Sequence, residues 1–297
     1  MKLITAKDCS GFLKVPLLGK NCAVVGPKSI AGISENSIVF LSKNSEEAVK
    51  VINSTESVVC VTTESIARDL RCTVIVHPNP RLAFSLLVTE FFVIKKTAVI
   101  SDKAEIDATA AFEDGVSVGP FSVVGKNVKI GSATSISENV VIGDNVVIGK
   151  NCIIKPNTTI GASGFGFSKN FDGDPVGFPH IGNVVIGNDV EIGANCTVVR
   201  AALDTTTIGD AVKTDDHVHI AHNCIIGKRT FLAAGVVVCG SCNVGADVWI
   251  SPNSTVIDYC TIGDGAFIGL GSVVRKPVSQ GERVFGVPAN PIGRRKL

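Results

Sequence analysis

Three of the chain's five histidines fall within six residues, in the run Asp215-Asp216-His217-Val218-His219-Ile220-Ala221-His222-Asn223. Imidazole, with an ordinary pKa of about 6.5, is the side chain best suited to take up and release a proton near neutrality. Beside two carboxylates it suggests general-base chemistry, with Asp215 or Asp216 as the candidate orienting acid. His217 and His222 also have the His-x-x-x-x-His spacing, and neutral imidazoles suit Zn²⁺, so metal-assisted hydration is a second chemistry to weigh. Upstream, Gly164-Phe165-Gly166-Phe167 and Phe178-Pro179-His180 gather aromatics and glycines in one segment. Such a segment reads as a loop covering a neighbouring site.

The elements that must position these residues follow from a count in sixes. Every sixth residue from Ile100 through Ile160 is apolar, as are Ile186, Ile192 and Val198, and then every sixth from Ile208 through Val274 except Thr214. Glycine often follows, as in Val118-Gly119 and Ile262-Gly263. Neither a helical period nor simple strand alternation holds phase over this length, whereas a parallel β-helix does, each hexad supplying a short strand and a corner. The apolar residue points inward, and the glycine after it is expected at the tight corner, where a Cβ would be strained. His222 stands two positions after the inward Ile220, so it is expected at a corner, facing out. The count breaks at 161–183 and 200–206, where loops leave the coil.

The fold class is therefore mainly β: a parallel β-helix over 98–276, preceded by a small α/β domain over 1–97 and followed by a short C-terminal tail over 277–297. In the first domain strands are expected at 22–25, 37–41, 57–61 and 73–76, and helices at 46–52, 64–70 and 80–92, the last opening on Pro80. The tail ends in Arg294-Arg295-Lys296, a solvated end or a contact for an acidic partner. A net charge of +1 gives no support for a nucleic-acid partner. No apolar run is long enough to span a bilayer and no signal-type segment opens the chain, so a cytoplasmic protein is expected. Of ten cysteines, Cys152, Cys196, Cys224, Cys242 and Cys260 sit two residues before an inward position. They read as reduced filler inside the coil, not as a metal or disulfide framework.

Four stretches carry a resemblance: Ile106-Asp107-Ala108-Thr109-Ala110, Gly161-Ala162-Ser163-Gly164-Phe165-Gly166-Phe167, Asp189-Val190-Glu191-Ile192-Gly193-Ala194 and Ile220-Ala221-His222-Asn223. With the hexads, they make the chain resemble the hexapeptide-repeat acyltransferases, in particular the UDP-3-O-acylglucosamine N-acyltransferases of lipid A (lipopolysaccharide) biosynthesis. The resemblance implies a left-handed helix with three hexads per triangular coil, and a homotrimer with active sites between prisms. It implies transfer of an acyl group from acyl carrier protein, or from coenzyme A with the same phosphopantetheine arm, to the amine of a nucleotide-linked amino sugar, with no tightly bound cofactor. His222 then matches the base and Gly240 the oxyanion-hole glycine, one coil further on. Phe40 matches an aromatic that stacks on the nucleotide base, and His219, Asn223, Tyr259, Phe165, Phe167 and His180 are the candidate substrate contacts.

The chain departs from that family at several points. Tyr259 stands where a second active-site histidine is found, Ser163 replaces an aspartate, Lys43 and Glu46 replace the other two base-pocket residues unless Asn44 substitutes, and the family's C-terminal helices are not expected after Gly286-Val287-Pro288-Ala289-Asn290-Pro291. Two alternatives therefore stay open beside the lipid A type of acceptor. One is a dTDP- or UDP-amino deoxysugar for surface polysaccharide; the other is a metal hydratase like the γ-type carbonic anhydrases. A non-catalytic scaffold or sugar-binding protein is the bland reading, and the Ala-His-Asn run argues against it.

Overall fold

The computed structural model describes residues 3–94, 97–288 and 290–294. Two compact units divide the chain, Met1–Lys96 and Thr97–Leu297. In the first, Thr73–Val76, Val59–Thr62, Ser37–Leu41 and Gly26–Pro27 run parallel, and Leu17–Leu18 closes the sheet antiparallel to Thr73–Val76. Sheet residues of alternating side feed two cores. Ile38, Val59, Val61 and Ile75 meet Ala6, Cys9, Ala83 and Leu87 of the helices Ala6–Leu13 and Pro80–Phe91. Val39, Leu41 and Cys60 meet Ile52 and Ile66 on the other face. Residues 22–25, expected as a strand, make only the bridge Thr5↔Ala23, because the pairing edge there is taken by Gly26–Pro27. The helix Ala6–Leu13 was not expected, although Thr5 and Asp8 form a capping box at its start.

The second unit is a left-handed parallel β-helix of two-residue strands. Ile130 pairs with Ile148 and Val124 with Ile142, each 18 positions on, so three hexads close a coil. Three sheets of eight, ten and nine strands form the walls, all parallel but for the last strand of the ten. The inward residues are almost fully buried from Val118 onward. Thr214, the polar exception, is buried because its hydroxyl accepts the Gly193 N–H at 2.9 Å.

The slot two residues earlier is also inside, and there cysteine behaves like serine or threonine. Thr158 Oγ1 donates to Gly193 O at 2.7 Å, and Cys152 Sγ to Gly187 O at 3.1 Å. All ten cysteines are free thiols. Burial pushes Cys152 and Cys196 above the usual thiol range and Cys260 up to about 11, so they remain neutral donors.

The corner glycines work differently from the expectation. The left-handed backbone falls three residues after the inward position, at Asn127 (φ 55°), Asn139 (φ 56°) and Asn145 (φ 63°), for instance. Asparagine tolerates that region. The glycine directly after the inward residue is needed because the next coil lies on it: a Cβ at Gly131 would stand 2.6 Å from the carbonyl carbon of Gly149. The tail is also not loose. Val278 bridges to Ile262 and Val284 pairs with Ile268, each 16 positions on, so a shortened coil continues the prism, with Glu282–Phe285 and then Asn290–Arg294 as added strands. Arg295 and Lys296 lie outside the described residues.

A methyl group forced against backbone has nowhere to go. Gly131→Ala is expected to cost about 1–3 kcal/mol as overpacking, and to lower Tm by roughly 2–10 °C for a domain of this size. Differential scanning calorimetry checks it; an unchanged Tm would show that the coils can part without penalty.

Candidate active site

Both losses of phase leave from one edge of the prism. Along the nine-stranded sheet Ile142 pairs with Ile160 after 18 residues, Ile160 with Val198 after 38, Val198 with Ile220 after 22, and Ile220 with Val238 after 18 again. The insertions thus emerge at the corners after Ile160 and Val198. The same corner one coil on carries His222-Asn223, the next Gly240-Ser241, the next Tyr259. Ser241 N donates to His222 O and Tyr259 N to Gly240 O, both at 2.9 Å.

The first insertion folds as a hairpin, Phe167–Lys169 against Pro175–Gly177. Its base is tied by Arg200 of the second insertion, whose Nε donates to Gly161 O at 2.6 Å and Nη2 to Asp144 O at 3.2 Å. Phe165 and Phe167 stack edge-on, 5.0 Å between centroids, at the rim of a cavity. The cavity, about 840 Å³, is lined by both phenylalanines, His219, His222, Gly240 and Tyr259. A smaller one of about 370 Å³ takes Phe178, His180, His222, Asn223 and Tyr259. His222 borders both.

The tautomer of His222 follows from its neighbours. Asn223 Oδ1 accepts the Ala202 N–H at 3.2 Å, and a backbone amide can only donate, so that atom is the oxygen. The same oxygen lies 3.0 Å from His222 Nδ1, which must then carry a proton, leaving the lone pair on Nε2. Thr206 Oγ1 accepts the Asn223 N–H at 2.9 Å. The second insertion therefore holds Asn223, and Asn223 holds the imidazole. Asp215 and Asp216, expected to orient it, do not: Asp216 Oδ1 accepts the Ala194 N–H at 2.7 Å and Asp215 Oδ1 the Asp216 N–H at 2.8 Å. Six residues separate their corner from that of His222, which places them at the adjacent edge of the triangle.

Gly240 lies over the ring. A Cβ there would stand 2.7 Å from His222 Cε1 and 2.8 Å from Nε2. At some other corners the amide at this slot is capped by a side chain from the coil above: Lys126 N donates to Asp144 at 2.8 Å and Ala246 N to Asp264 at 2.8 Å. The counterpart above Gly240 is Asp258, which lines the cavity and does not close on the amide. Among the described residues the Gly240 N–H has no acceptor, so a donor and a basic nitrogen face one space. That pair can take a proton from a nucleophile and stabilise a tetrahedral oxyanion. Burial pushes His219 below the ordinary imidazole range, so it contributes a neutral wall.

The structure gathers His222, Gly240, His219, Asn223, Tyr259, Phe165, Phe167 and His180 at this edge. His217 sits at the adjacent corner in left-handed backbone (φ 60°), and among the described residues no three His, Cys, Asp or Glu side chains come together as metal ligands. Phe40 belongs to the other unit, half-buried, with its ring 5.0 Å from Phe84. Asn44 donates to Asp69 at 3.0 Å. What the sequence did not disclose was the support around the imidazole: Ala202, Thr206 and Arg200 carry no distinctive chemistry, and only the four-residue slip in phase marked their segment. No helix of the described residues is long and apolar enough to cross a membrane.

Residues 121–162, 205–240 and 241–276 match the model for the bacterial transferase hexapeptide, and 183–213 the hexapeptide repeat of succinyl-transferase. A UDP-3-O-acylglucosamine N-acyltransferase of Coxiella burnetii is 32% identical over 240 residues, covering 74% of this chain and 70% of that protein. The one of Chlorobium chlorochromatii is 41% identical, but the match covers 27% of this chain and only 23% of that protein. Among solved structures, the Francisella novicida UDP-N-acetylglucosamine acyltransferase superposes with a TM-score of 0.60 at 30% identity, over 66% of this chain and 70% of that one.

Because the atoms that a Cβ at Gly240 meets are the far end of a side chain, Gly240→Ala is expected to fold with a Tm near that of the parent while the His222 ring is pushed aside. Turnover should fall by about a hundredfold, the scale of losing a positioned base or oxyanion donor. A crystal structure of the variant with the ring unmoved would contradict it.

Proposed function

Since the chain belongs to the hexapeptide-repeat acyltransferase family, as its match to the Coxiella burnetii enzyme establishes, we propose that it is an N-acyltransferase. It moves an acyl group from a phosphopantetheine thioester to the amine of a UDP-linked amino sugar of the UDP-3-O-acylglucosamine type. The observation that carries this reading is the open Gly240 amide over an imidazole whose Nδ1 is protonated and whose Nε2 is free. His222 Nε2 takes a proton from the attacking amine, the Gly240 N–H holds the oxyanion, and collapse expels the thiolate, which His222 reprotonates. Asn223 positions the imidazole. The apolar side of the 840 Å³ cavity, with Phe165 and Phe167, receives the start of the acyl chain.

The donor we propose is acyl carrier protein rather than coenzyme A, as the lipid A reading implies. The N-terminal unit holds the nucleotide, with Phe40 against the base. The names of the curated relatives favour the glucosamine acceptor over a deoxysugar, and among the described residues of one chain no three-ligand cluster supports the hydratase reading. The protein works in the cytoplasm, where both substrates are made.

Incubation with UDP amino sugars and acyl thioesters of graded length, followed by mass spectrometry, is expected to yield the amide from the glucosamine acceptor and none from its N-acetylated form. His222→Ala should lower turnover by roughly a hundredfold or more with stability nearly unchanged; near-normal turnover would remove the base from the mechanism.

A trimer whose neighbour completes each site also follows from this proposal. The two insertions at the site edge leave Phe165 (88% exposed), Phe171, Ile181 and Leu203 exposed, apolar side chains that a neighbouring chain would cover. Multi-angle light scattering should give three times the 30.9 kDa chain mass; a monomer at working concentration would refute the assembly.

A further inference from the structure

Acylation of a sugar amine that arrives as an ammonium ion removes two protons from one nitrogen. The first must leave before the lone pair can attack. The second leaves as the tetrahedral intermediate collapses. One imidazole beneath Gly240 serves one of these transfers, and the first insertion brings a second imidazole beside it.

His180 and His222 lie with ring centroids 5.3 Å apart, inclined at 66°. His180 Nδ1 is 2.9 Å from Phe178 O, and a carbonyl only accepts, so Nδ1 keeps its hydrogen in both charge states. Nε2 is then the atom that gains and loses a proton. It points inward: a Cβ on Gly164 would stand 2.6 Å from His180 Nε2 and 3.0 Å from His222 Cδ2, so both rings converge on the bare Cα of Gly164. Phe178 braces the far side, 6.3 Å from the His180 ring and edge-on to it. The two histidines share the smaller cavity, whose remaining titratable group is Tyr259; the larger adds His219, Cys239 and Asp258.

We propose that His180 is a second base of this site, which discharges the acceptor's ammonium group before His222 acts; the proposal rests on the amine-acylation reading above. His180 Nε2 takes the first N–H proton. The freed lone pair forms the C–N bond at the thioester carbonyl, and the carbonyl π pair moves to the oxygen that faces Gly240 N–H. His222 Nε2 takes the second proton, the C–S bond breaks, and the thiolate receives that proton. His180, half-exposed on its loop, returns the first to solvent. Atoms and charge balance with no further reactant.

The test is the pH profile of kcat for acyl transfer to a UDP amino sugar, measured on the full-length enzyme and on His180→Gln and His180→Ala. A group needed to discharge an ammonium ion matters only where the acceptor arrives protonated. His180→Gln should lose at least about tenfold near pH 6.5 and approach the parent rate in alkaline solution, where the amine arrives neutral. Free imidazole should restore His180→Ala at the acid end only. A loss that is uniform across pH, or no loss, overturns the proposal and leaves the acyl transfer standing. A parent enzyme that transfers acyl groups to a hydroxyl acceptor and to no amine overturns the amine-acylation reading and the proposal with it.

Discussion

The stacking of one coil on the next, at a spacing of about 4.8 Å, is the constraint on which everything else in the second unit depends. It brings a residue and its counterpart 18 positions later into contact, as the register of Ile220 with Val238 and of Val238 with Val256 shows. Chemistry distant in sequence is thereby placed within a side chain's reach. His222, Gly240 and Tyr259 form a column for this reason alone. The same stacking demands glycine where one backbone lies on another, so the prism is rich in positions where an added methyl would meet main chain. At Gly240 the space is used instead to admit an imidazole ring.

The two insertions divide the work of supporting that ring. The second, only four residues beyond the regular coil, supplies the Ala202 N–H and Thr206 hydroxyl that fix Asn223. A charge-neutral asparagine does here what a carboxylate often does for a catalytic histidine: it sets which nitrogen carries the proton. It does so without the attraction by which a carboxylate would favour an imidazolium. The first insertion, held at its base by Arg200, brings aromatic surface and a second imidazole to the same edge. Rigid wall and added loop thus carry different parts of one site, with His222 and Gly240 on the wall.

Much of the fold was legible because a six-residue period has one structural solution, and an unbroken count needs no knowledge of side-chain detail. The corner and the outward direction of His222 followed from its distance to Ile220. What failed were inferences from nearness in sequence. Asp215 and Asp216 are neighbours of His222 in the chain but sit at another edge, since six residues turn the coil by a third. The glycine directly after the inward residue answers to the coil above and not to corner strain, and the left-handed slot two positions later is held most often by asparagine. The tail was misjudged because the last coil is two residues short, so Val278 and Val284 fall out of count while still packing inward. In the N-terminal unit the strands at 37–41 and 73–76 were visible as β-branched runs, but a first helix with one modest apolar stripe was not.

The places where this chain breaks its own repeat are concentrated at one edge. Both insertions leave there. The amide that an aspartate caps at some other corners is left open at Gly240, although Asp258 stands above it and lines the cavity. Tyr259 occupies the left-handed slot (φ 56°), where asparagine is the commonest residue, and stands 78% exposed. A bulky residue in that region costs free energy, on the order of 1–2 kcal/mol, and an uncapped amide forgoes a hydrogen bond worth about 1 kcal/mol. Neither departure helps the prism stand. Each departure also occurs singly elsewhere, as Phe121 and Arg229 show for bulk in the left-handed slot, but here they meet at the edge from which both insertions leave, as at a site selected for its chemistry. The stability they forgo is small against a core that runs the length of the prism, and a solenoid can bear such losses because each coil leans on its neighbours on both sides.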